Sequence, residues 1–410
     1  MNIWILNHYA TPPDTAGSTR HFDFSRELVK REQKLTIFAS SFNHRTKKEE
    51  RLGGKQIYRR ENIKGVEFIW IRTSPYKEND WRRVVNMLSY SVGVIPLGLI
   101  VRKRPDVILA SSPHPFSGLA GYILAKIKGA RFIFEVRDLW PQTFVDIGGY
   151  SKKSFVVKLL QVLEKFLYRR ANRIITLAPK ASGYITGLGI PNSKIAYIPN
   201  GVNPELFSDT SVRLPSEMDE FILQLRSKGK VLVGYAGAHG ISNALDTIIE
   251  AANLLQKEGV AKIHFFLVGD GPRKEPLMYK AKSYGLGNVD FHNPIPKIVV
   301  PEFLRSIDIA VISIRKSPLY KYGISLNKLF DYMACAKPIL WATDSVNNIV
   351  AEALCGVTVS PENPEEMAKA IIKLCSLSED ERRLMGKRGY DYVMKNHSVP
   401  VLASKLSEIL

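Results

Sequence analysis

The segment Ser325-Leu326-Asn327-Lys328-Leu329-Phe330-Asp331 carries the parts needed to hold a nucleotide diphosphate. It opens an apolar-periodic run that reads as a helix, and a helix N-terminus offers free N–H groups at the positive end of a dipole. Amides near Ser325, Leu326 and Asn327 suit phosphate oxygens, Lys328 adds a full charge, and Asp331, one turn on, can accept hydrogen bonds from ribose hydroxyls. Three more small-residue turns follow apolar runs: Gly237-Ala238-His239-Gly240, Gly269-Asp270-Gly271 and Asn293-Pro294-Ile295-Pro296. In a parallel sheet such turns gather at the carboxyl ends of the strands, where ligands bind. Gly237, His239, Gly240, Gly269, Asp270, Asn293 and Ile295 are therefore candidate contacts. A similar loop near the N-terminus runs from His8 to Arg20. Gly17 would let its backbone approach a phosphate closely, and Arg20 lies in the first turn of the next helix. This loop is neither a G-x-G-x-x-G fingerprint nor a Walker loop, and an ordinary strand-to-helix turn reads the same way.

These turns need strands and helices to aim them. Short β-rich runs alternate with amphipathic helical stretches in both halves, the pattern of parallel α/β sheets. The first half has strand candidates at 2–7, 34–39, 66–71, 106–110, 131–135 and 173–177. The second has them at 230–236, 263–268, 308–313, 338–342 and 357–359. Helices are expected at 18–32 and 243–256, among others. The stretch 199–229, with three prolines and many acids, is the best domain boundary. Segment 81–104 stands apart: Trp81-Arg82-Arg83 and Arg102-Lys103-Arg104 bracket a largely apolar stretch interrupted by Gly93, Pro96 and Gly98. It reads as a core helix or as a helix lying in a membrane interface, and is too short and broken to be read as a membrane span.

Bulk properties narrow the class. At 410 residues the chain is long enough for two or three domains. Three cysteines without a C-x-x-C pair point to reduced thiols in the cytoplasm and away from a zinc site. The N-terminal run reads as a buried strand and not as a signal peptide. The net charge of +19 is lopsided: residues 1–200 carry 33 Lys and Arg against 15 Asp and Glu, and the other 210 carry 25 against 24. A basic half attracts an anionic partner such as phospholipid, a pyrophosphate-linked lipid or nucleic acid.

Glu135-Val136-Arg137-Asp138-Leu139-Trp140-Pro141, Tyr235-Ala236-Gly237-Ala238-His239-Gly240, Val268-Gly269-Asp270-Gly271-Pro272 and Asn327-Lys328-Leu329-Phe330-Asp331-Tyr332-Met333-Ala334 with Lys337-Pro338 occur in this order along the chain. Together they resemble the family 4 glycosyltransferases of the GT-B fold, and among them the WbuB-like amino-sugar transferases of bacterial surface polysaccharide synthesis. The resemblance implies an α/β fold of two Rossmann-like domains facing a central cleft, with a C-terminal helix crossing back to the first. The N-terminal, acceptor-binding domain would be 1–200 plus about 390–410, and the nucleotide-sugar-binding domain 201–389.

It further implies a UDP-sugar donor, retention of anomeric configuration, and no metal. No D-x-D triplet occurs in the sequence. The E-x7-E motif of the family has its second acid at Asp331, and its first falls on Gly323. Ala238 and Asn243 stand where the family commonly has a basic pair, so the charge facing the diphosphate is expected from Lys328 and Arg20, with His239 in support. Arg137 and Asp138 end a strand where relatives often carry a catalytic-site histidine. They read either as a buried structural pair or as groups positioning donor sugar or acceptor hydroxyl, and His114 and Tyr9 fall on the acceptor side. The implied acceptor is an undecaprenyl-pyrophosphate-linked saccharide at an anionic membrane surface, with the enzyme peripheral to the inner face of the cytoplasmic membrane. Rival readings are a GT-B nucleotide-sugar 2-epimerase, which the sparse acid set disfavours, and a basic nucleic-acid-binding protein. No nucleic-acid module is recognisable. An NAD-dependent enzyme is disfavoured because no G-x-G-x-x-G follows either first strand.

Overall fold

The computed structural model describes every residue except 16, 17, 79, 113, 147–150, 152 and 210, and the side chain of Phe144. The chain divides into two compact units. The first comprises Met1–Asn200, Lys321–Ser325 and Val399–Leu410, and the second Gly201–Tyr320 and Leu326–Ser398.

Among the described residues the first unit holds ten strands: β1 (Asn2–Leu6), β2 (Lys34–Ser40), β3 (Phe42–Asn43), β4 (Lys48–Glu49), β5 (Tyr58–Ile63), β6 (Val66–Ile71), β7 (Val107–Ser111), β8 (Arg131–Val136), β9 (Arg173–Thr176) and β10 (Ile195–Tyr197). Eight form one sheet in the order β10-β9-β8-β7-β1-β2-β6-β5, and β3 and β4 pair by themselves. All neighbours in the large sheet run parallel except β5, which is antiparallel to β6. Side chains alternate across the sheet, so each inner strand feeds two cores. Ile3, Ile5, Ile37 and Phe68 pack with Phe22 and Leu28 of helix Arg20–Val29 and with Leu402 and Leu406 of helix Val399–Ile409. Trp4, Leu6, Phe38 and Phe134 pack on the opposite face with Tyr90, Leu124 and Leu167, from helices Trp81–Ile100, Pro115–Lys128 and Phe155–Arg170. Segment 81–104 thus contributes a helix packed on the sheet, as the first of its two readings expects.

Among the described residues the second unit has six strands: β11 (Val231–Ala236), β12 (Ile263–Val268), β13 (Val289–His292), β14 (Ile309–Ser313), β15 (Ile339–Ala342) and β16 (Gly356–Val359). They form a wholly parallel sheet in the order β13-β12-β11-β14-β15-β16. Counted from its first strand this is the order 3-2-1-4-5-6 of a dinucleotide-binding sheet, whose direction of winding reverses between β11 and β14. Ile248, Ala252 and Leu255 of helix Asp246–Lys257 and Met367, Ile371 and Leu374 of helix Pro364–Ser376 cover one face. The tail rejoins the first unit only at Val399. Helix Glu379–His397 stays with the second because Gly386 lies against the Ala336 carbonyl and Gly389 against Cys355 and Met333, spaces that a side chain would fill.

Candidate functional site

In the second unit the predicted turns converge at the carboxyl end of the sheet. The turn after β12 is folded onto the turn after β11: Gly237 N donates to Val268 O at 3.0 Å, His239 N to Asp270 O at 2.8 Å, and Arg273 N to His239 O at 2.9 Å. This approach is backbone against backbone. A Cβ on Gly269 would lie 1.9 Å from Gly237 O, and one on Gly271 2.6 Å from His239 O. Both glycines have positive φ, +150° and +154°, a region closed to L side chains. Asp270 is exposed and its carboxylate accepts from Gly271 N at 2.8 Å. Gly240, at the end of the first turn, accepts from Asn243 N through its carbonyl.

Four cationic or proton-carrying groups surround these turns. Lys328, in the first turn of helix Asn327–Ala334, donates to Tyr235 Oη at 2.7 Å and Asn243 Oδ1 at 2.6 Å. Its ammonium stands over Gly237. Asn243, where the family commonly has a base, therefore serves as an anchor for Lys328. Lys274 donates to His292 O at 3.2 Å and to Asn293 Oδ1 at 2.9 Å. Lys297, which the sequence did not single out, pairs with Asp331. Asp331 is buried, so the carboxylate assigned to ribose already holds one cation on Oδ2. Ile295 is half-buried within the Asn293–Pro296 turn, two residues before Lys297.

His239 is fully buried, and among the described residues neither ring nitrogen has a hydrogen-bond partner. Burial first, then the positive charge of Lys274, pushes its pKa down to about 4, so it is neutral at pH 7. A buried imidazole with two unsatisfied nitrogens is costly unless a ligand completes it.

The loop before helix Asn327–Ala334 explains the missing acid. Gly323 is buried at φ +88°, so a glutamate there would be strained whatever the space. Ser325 belongs to the short segment grouped with the first unit. Its hydroxyl accepts from Asn200 N at 2.8 Å and its carbonyl from Asn200 Nδ2 at 2.7 Å. Leu326 and Asn327 begin the helix as expected.

In the first unit the structure corrects two assignments. Arg20, expected to face a diphosphate, is buried. Its Nε donates to Glu135 Oε1 at 2.9 Å, and its two terminal nitrogens donate to Ile198 O and Pro199 O. With all three nitrogens engaged it is a structural cation. Its partner Glu135 is the centre of the arrangement: it also accepts from His21 Nε2 at 2.7 Å and Ser111 Oγ at 2.6 Å. Arg20 and His21 hold its carboxyl well below the usual range against the opposing effect of burial. His114, expected to meet the acceptor, is fully buried as the N-cap of helix Pro115–Lys128. Its Nδ1 accepts from Ser117 N at 3.4 Å, which leaves Nε2–H to donate to His8 Nδ1 at 2.9 Å.

Tyr9 is buried with its ring stacked on His8 at 4.4 Å, and it borders a shallow recess with His44, Asn43, Arg51 and Trp70. Arg137 N donates to Ser112 Oγ at 2.8 Å, and its guanidinium reaches Ser18 Oγ at 3.5 Å. Asp138 has exposed surface beside the half-buried Arg137, and loss of hydration raises its carboxyl above the ordinary range while the Arg137 charge opposes this. Gly17 lies outside the described residues.

Residues 17–201 match the family described as glycosyl transferase 4-like domain, and residues 230–376 match glycosyl transferases group 1. Between them the two matches take in most of the chain. The chain belongs to the family 4 glycosyltransferases of the GT-B fold. The transferase is 23% identical over 279 residues to a probable glycosyltransferase, WbjE of Pseudomonas aeruginosa, covering 67% of each chain. It is 25% identical over 221 residues to WcaI of Escherichia coli, a putative colanic acid biosynthesis glycosyl transferase, covering 53% of each. In fold it resembles HepE of Anabaena in complex with UDP-glucose, with a TM-score of 0.69 at 15% identity over 100% of this chain and 98% of that one.

The sequence of this transferase pointed to Lys328, Asp331 and the three turns and placed Glu135 in a motif without a role, but did not single out Lys274 or Lys297. A lysine in the first turn after a glycine turn was a usable signal for Lys274. The Lys297–Asp331 pair spans 34 residues and leaves no local signature.

Two predictions follow from these contacts. Lys328→Ala and Asp331→Ala should each weaken UDP binding about tenfold or more, as loss of a charged hydrogen bond does, measured by calorimetry; unchanged affinity in both would remove this donor-site assignment. The second concerns acid. Burial holds His8 well below 6.5 and His44 and His114 at about 3. Folded, they stay neutral while the unfolded chain takes up protons, so their contribution is intact above about pH 6.5 and lost as pH falls below it, by up to about 1.4 kcal/mol per histidine per pH unit. The urea midpoint of the first unit should therefore fall steeply between about pH 6.5 and 4.5, and a flat midpoint would contradict the buried neutral state.

Proposed function

We propose that this glycosyltransferase moves a sugar, an N-acetylated amino sugar, from a UDP-sugar to a lipid-linked saccharide in bacterial surface polysaccharide synthesis, with retention of anomeric configuration. The observation that carries the donor half is His239, buried with both ring nitrogens unsatisfied between Lys274 and Lys328 beneath two backbone turns. An unpartnered imidazole close to two lysine charges favours an anion that brings its own oxygens. The resemblance to HepE, whose complex holds UDP-glucose, and to WcaI in colanic acid synthesis supports UDP as the nucleotide and a surface polysaccharide as the product class.

In this reading the diphosphate lies on the amides of the Gly237–Gly240 turn and of the helix beginning at Asn327. Lys328 and Lys274 meet the negative charge that develops as the sugar–oxygen bond breaks, so no metal is required. Asp331, positioned by Lys297, receives the ribose. The departing diphosphate oxygen takes the proton of the acceptor hydroxyl as that hydroxyl attacks from the same face. Asp138, exposed at the end of β8 with Arg137 beside it, is the polar pair assigned to the reacting sugar. The acceptor is an undecaprenyl-pyrophosphate-linked saccharide, and the enzyme works at the inner face of the cytoplasmic membrane.

A calorimetric screen of nucleotide sugars should find a UDP-N-acetylhexosamine binding most tightly. Transfer to a synthetic lipid-pyrophosphoryl sugar should give a product with the anomeric configuration of the donor by proton NMR. An inverted product, or selection of a nucleotide other than UDP, would overturn the proposal.

A further inference from the structure

Helix Trp81–Ile100 is long and apolar enough to cross a membrane by length and composition, yet it packs along the first sheet. Its inward stripe is Met87, Tyr90, Val94 and Gly98, and Tyr90 Oη donates to Phe38 O at 2.7 Å from a fully buried ring. Crossing a bilayer would tear this stripe out of the core. Its outward stripe is as apolar as its inward one. Trp81, Val85, Leu88, Val92 and Leu99 are all exposed at helical spacing, Val92 to 69%.

A second helix repeats this arrangement. Phe155–Arg170 turns Val157, Leu160 and Leu167 inward and leaves Phe155, Val156, Leu159 and Val162 exposed, Phe155 to 79% and Val162 to 68%. Helix Pro115–Lys128 lies between them, with Leu124 against Gly98 and Leu167 against Gly118. It adds the exposed Ile127. All three helices cover the same face of the sheet, so their outward residues form one surface.

The charge on and beside that surface is mostly positive, with the half-buried Asp80 and the exposed Asp106 as the acids flanking helix Trp81–Ile100. Arg82, Arg102, Lys103, Arg104, Lys126, Lys158, Arg169 and Arg170 are exposed on or beside these helices. The three helices contain a single acid, Glu164, which is buried, bonded to Tyr168 and Tyr184, and pushed by burial to a pKa of about 8. It is protonated at pH 7 and adds no surface charge.

We propose that helices Trp81–Ile100 and Phe155–Arg170 together form a membrane-docking face, which lies flat on an anionic phospholipid surface with both apolar stripes entering the headgroup region. Apolar side chains flanked by cations on a helix face are what such a surface recognises. A second copy of the chain would bring like charges together, and so fits the face poorly. The inference rests on the membrane setting proposed above and names the surface that carries it.

The test is co-sedimentation of the whole protein at low salt with vesicles of phosphatidylcholine, alone or mixed equally with phosphatidylglycerol. The wild type should pellet with the mixed vesicles and remain in solution with the neutral ones. Val92→Glu and Val162→Glu, changes at exposed positions, should each lower partitioning at least about fivefold with unchanged circular dichroism. Replacing Arg169 and Arg170 with serine should do the same through charge alone. A wild type that ignores the mixed vesicles would sink the membrane setting itself. A wild type that binds while the Val92 and Val162 variants bind equally well would leave that setting standing and overturn this face. Loss in the Val92 variant alone would remove the second helix from the proposal, and a wild-type dimer dissociated by Val92→Glu would replace the lipid with a second copy.

Discussion

The donor half of this transferase depends on one close approach, the backbone of Gly269 to Gly271 lying on that of Gly237 to His239. It requires two glycines at positive φ because any Cβ would collide with the opposing carbonyls. From it follow the burial of His239, the exposure of the Asp270 side chain and the seat of Lys328 over Gly237. The parallel sheet supplies the platform, with its winding reversal between β11 and β14. Asn243 ties the reversal to the site: Ser313 Oγ, at the end of β14, donates to its carbonyl at 2.5 Å, and its side chain holds Lys328.

The first unit is organised around a different interaction. Glu135 at the end of β8 gathers Arg20, His21 and Ser111, and through Arg20 the carbonyls of residues 198 and 199. A buried carboxylate with a full set of donors is stable, but losing one partner leaves charge uncompensated. His21 in turn accepts from Asn7 Nδ2 at 2.6 Å, so the carboxyl end of β1 is tied into the same cluster. The family's arrangement places chemistry at this end of the sheet. Here much of the local polarity is spent on architecture, and Asp138 remains exposed.

The inner strands were legible because parallel strands buried on both faces read as continuous apolar runs: β1, β2, β6 to β8, and β11, β12, β14 and β15 all fall where periodicity puts them. The edges were not. β5, Tyr-Arg-Arg-Glu-Asn-Ile, is mostly exposed and polar, and β10 has only three residues, so neither leaves an apolar signature. At the site, glycine turns and the helix start were legible because backbone geometry dictates residue type there. The misplacement of Arg20 has the opposite cause. A cation in a first helical turn looks the same in sequence whether it meets a phosphate or a buried glutamate 115 residues away. Gly323 was visible as a departure from the family's acid, and its positive φ supplies the reason.

Hydrogen–deuterium exchange with and without UDP reads the donor site of the second unit directly. Exchange should slow at the amides of residues 237–240, 269–271 and 326–329, with the His8–Arg20 loop unaffected. Protection centred on that N-terminal loop, or none in the three turns under saturating UDP, would contradict this donor-site assignment.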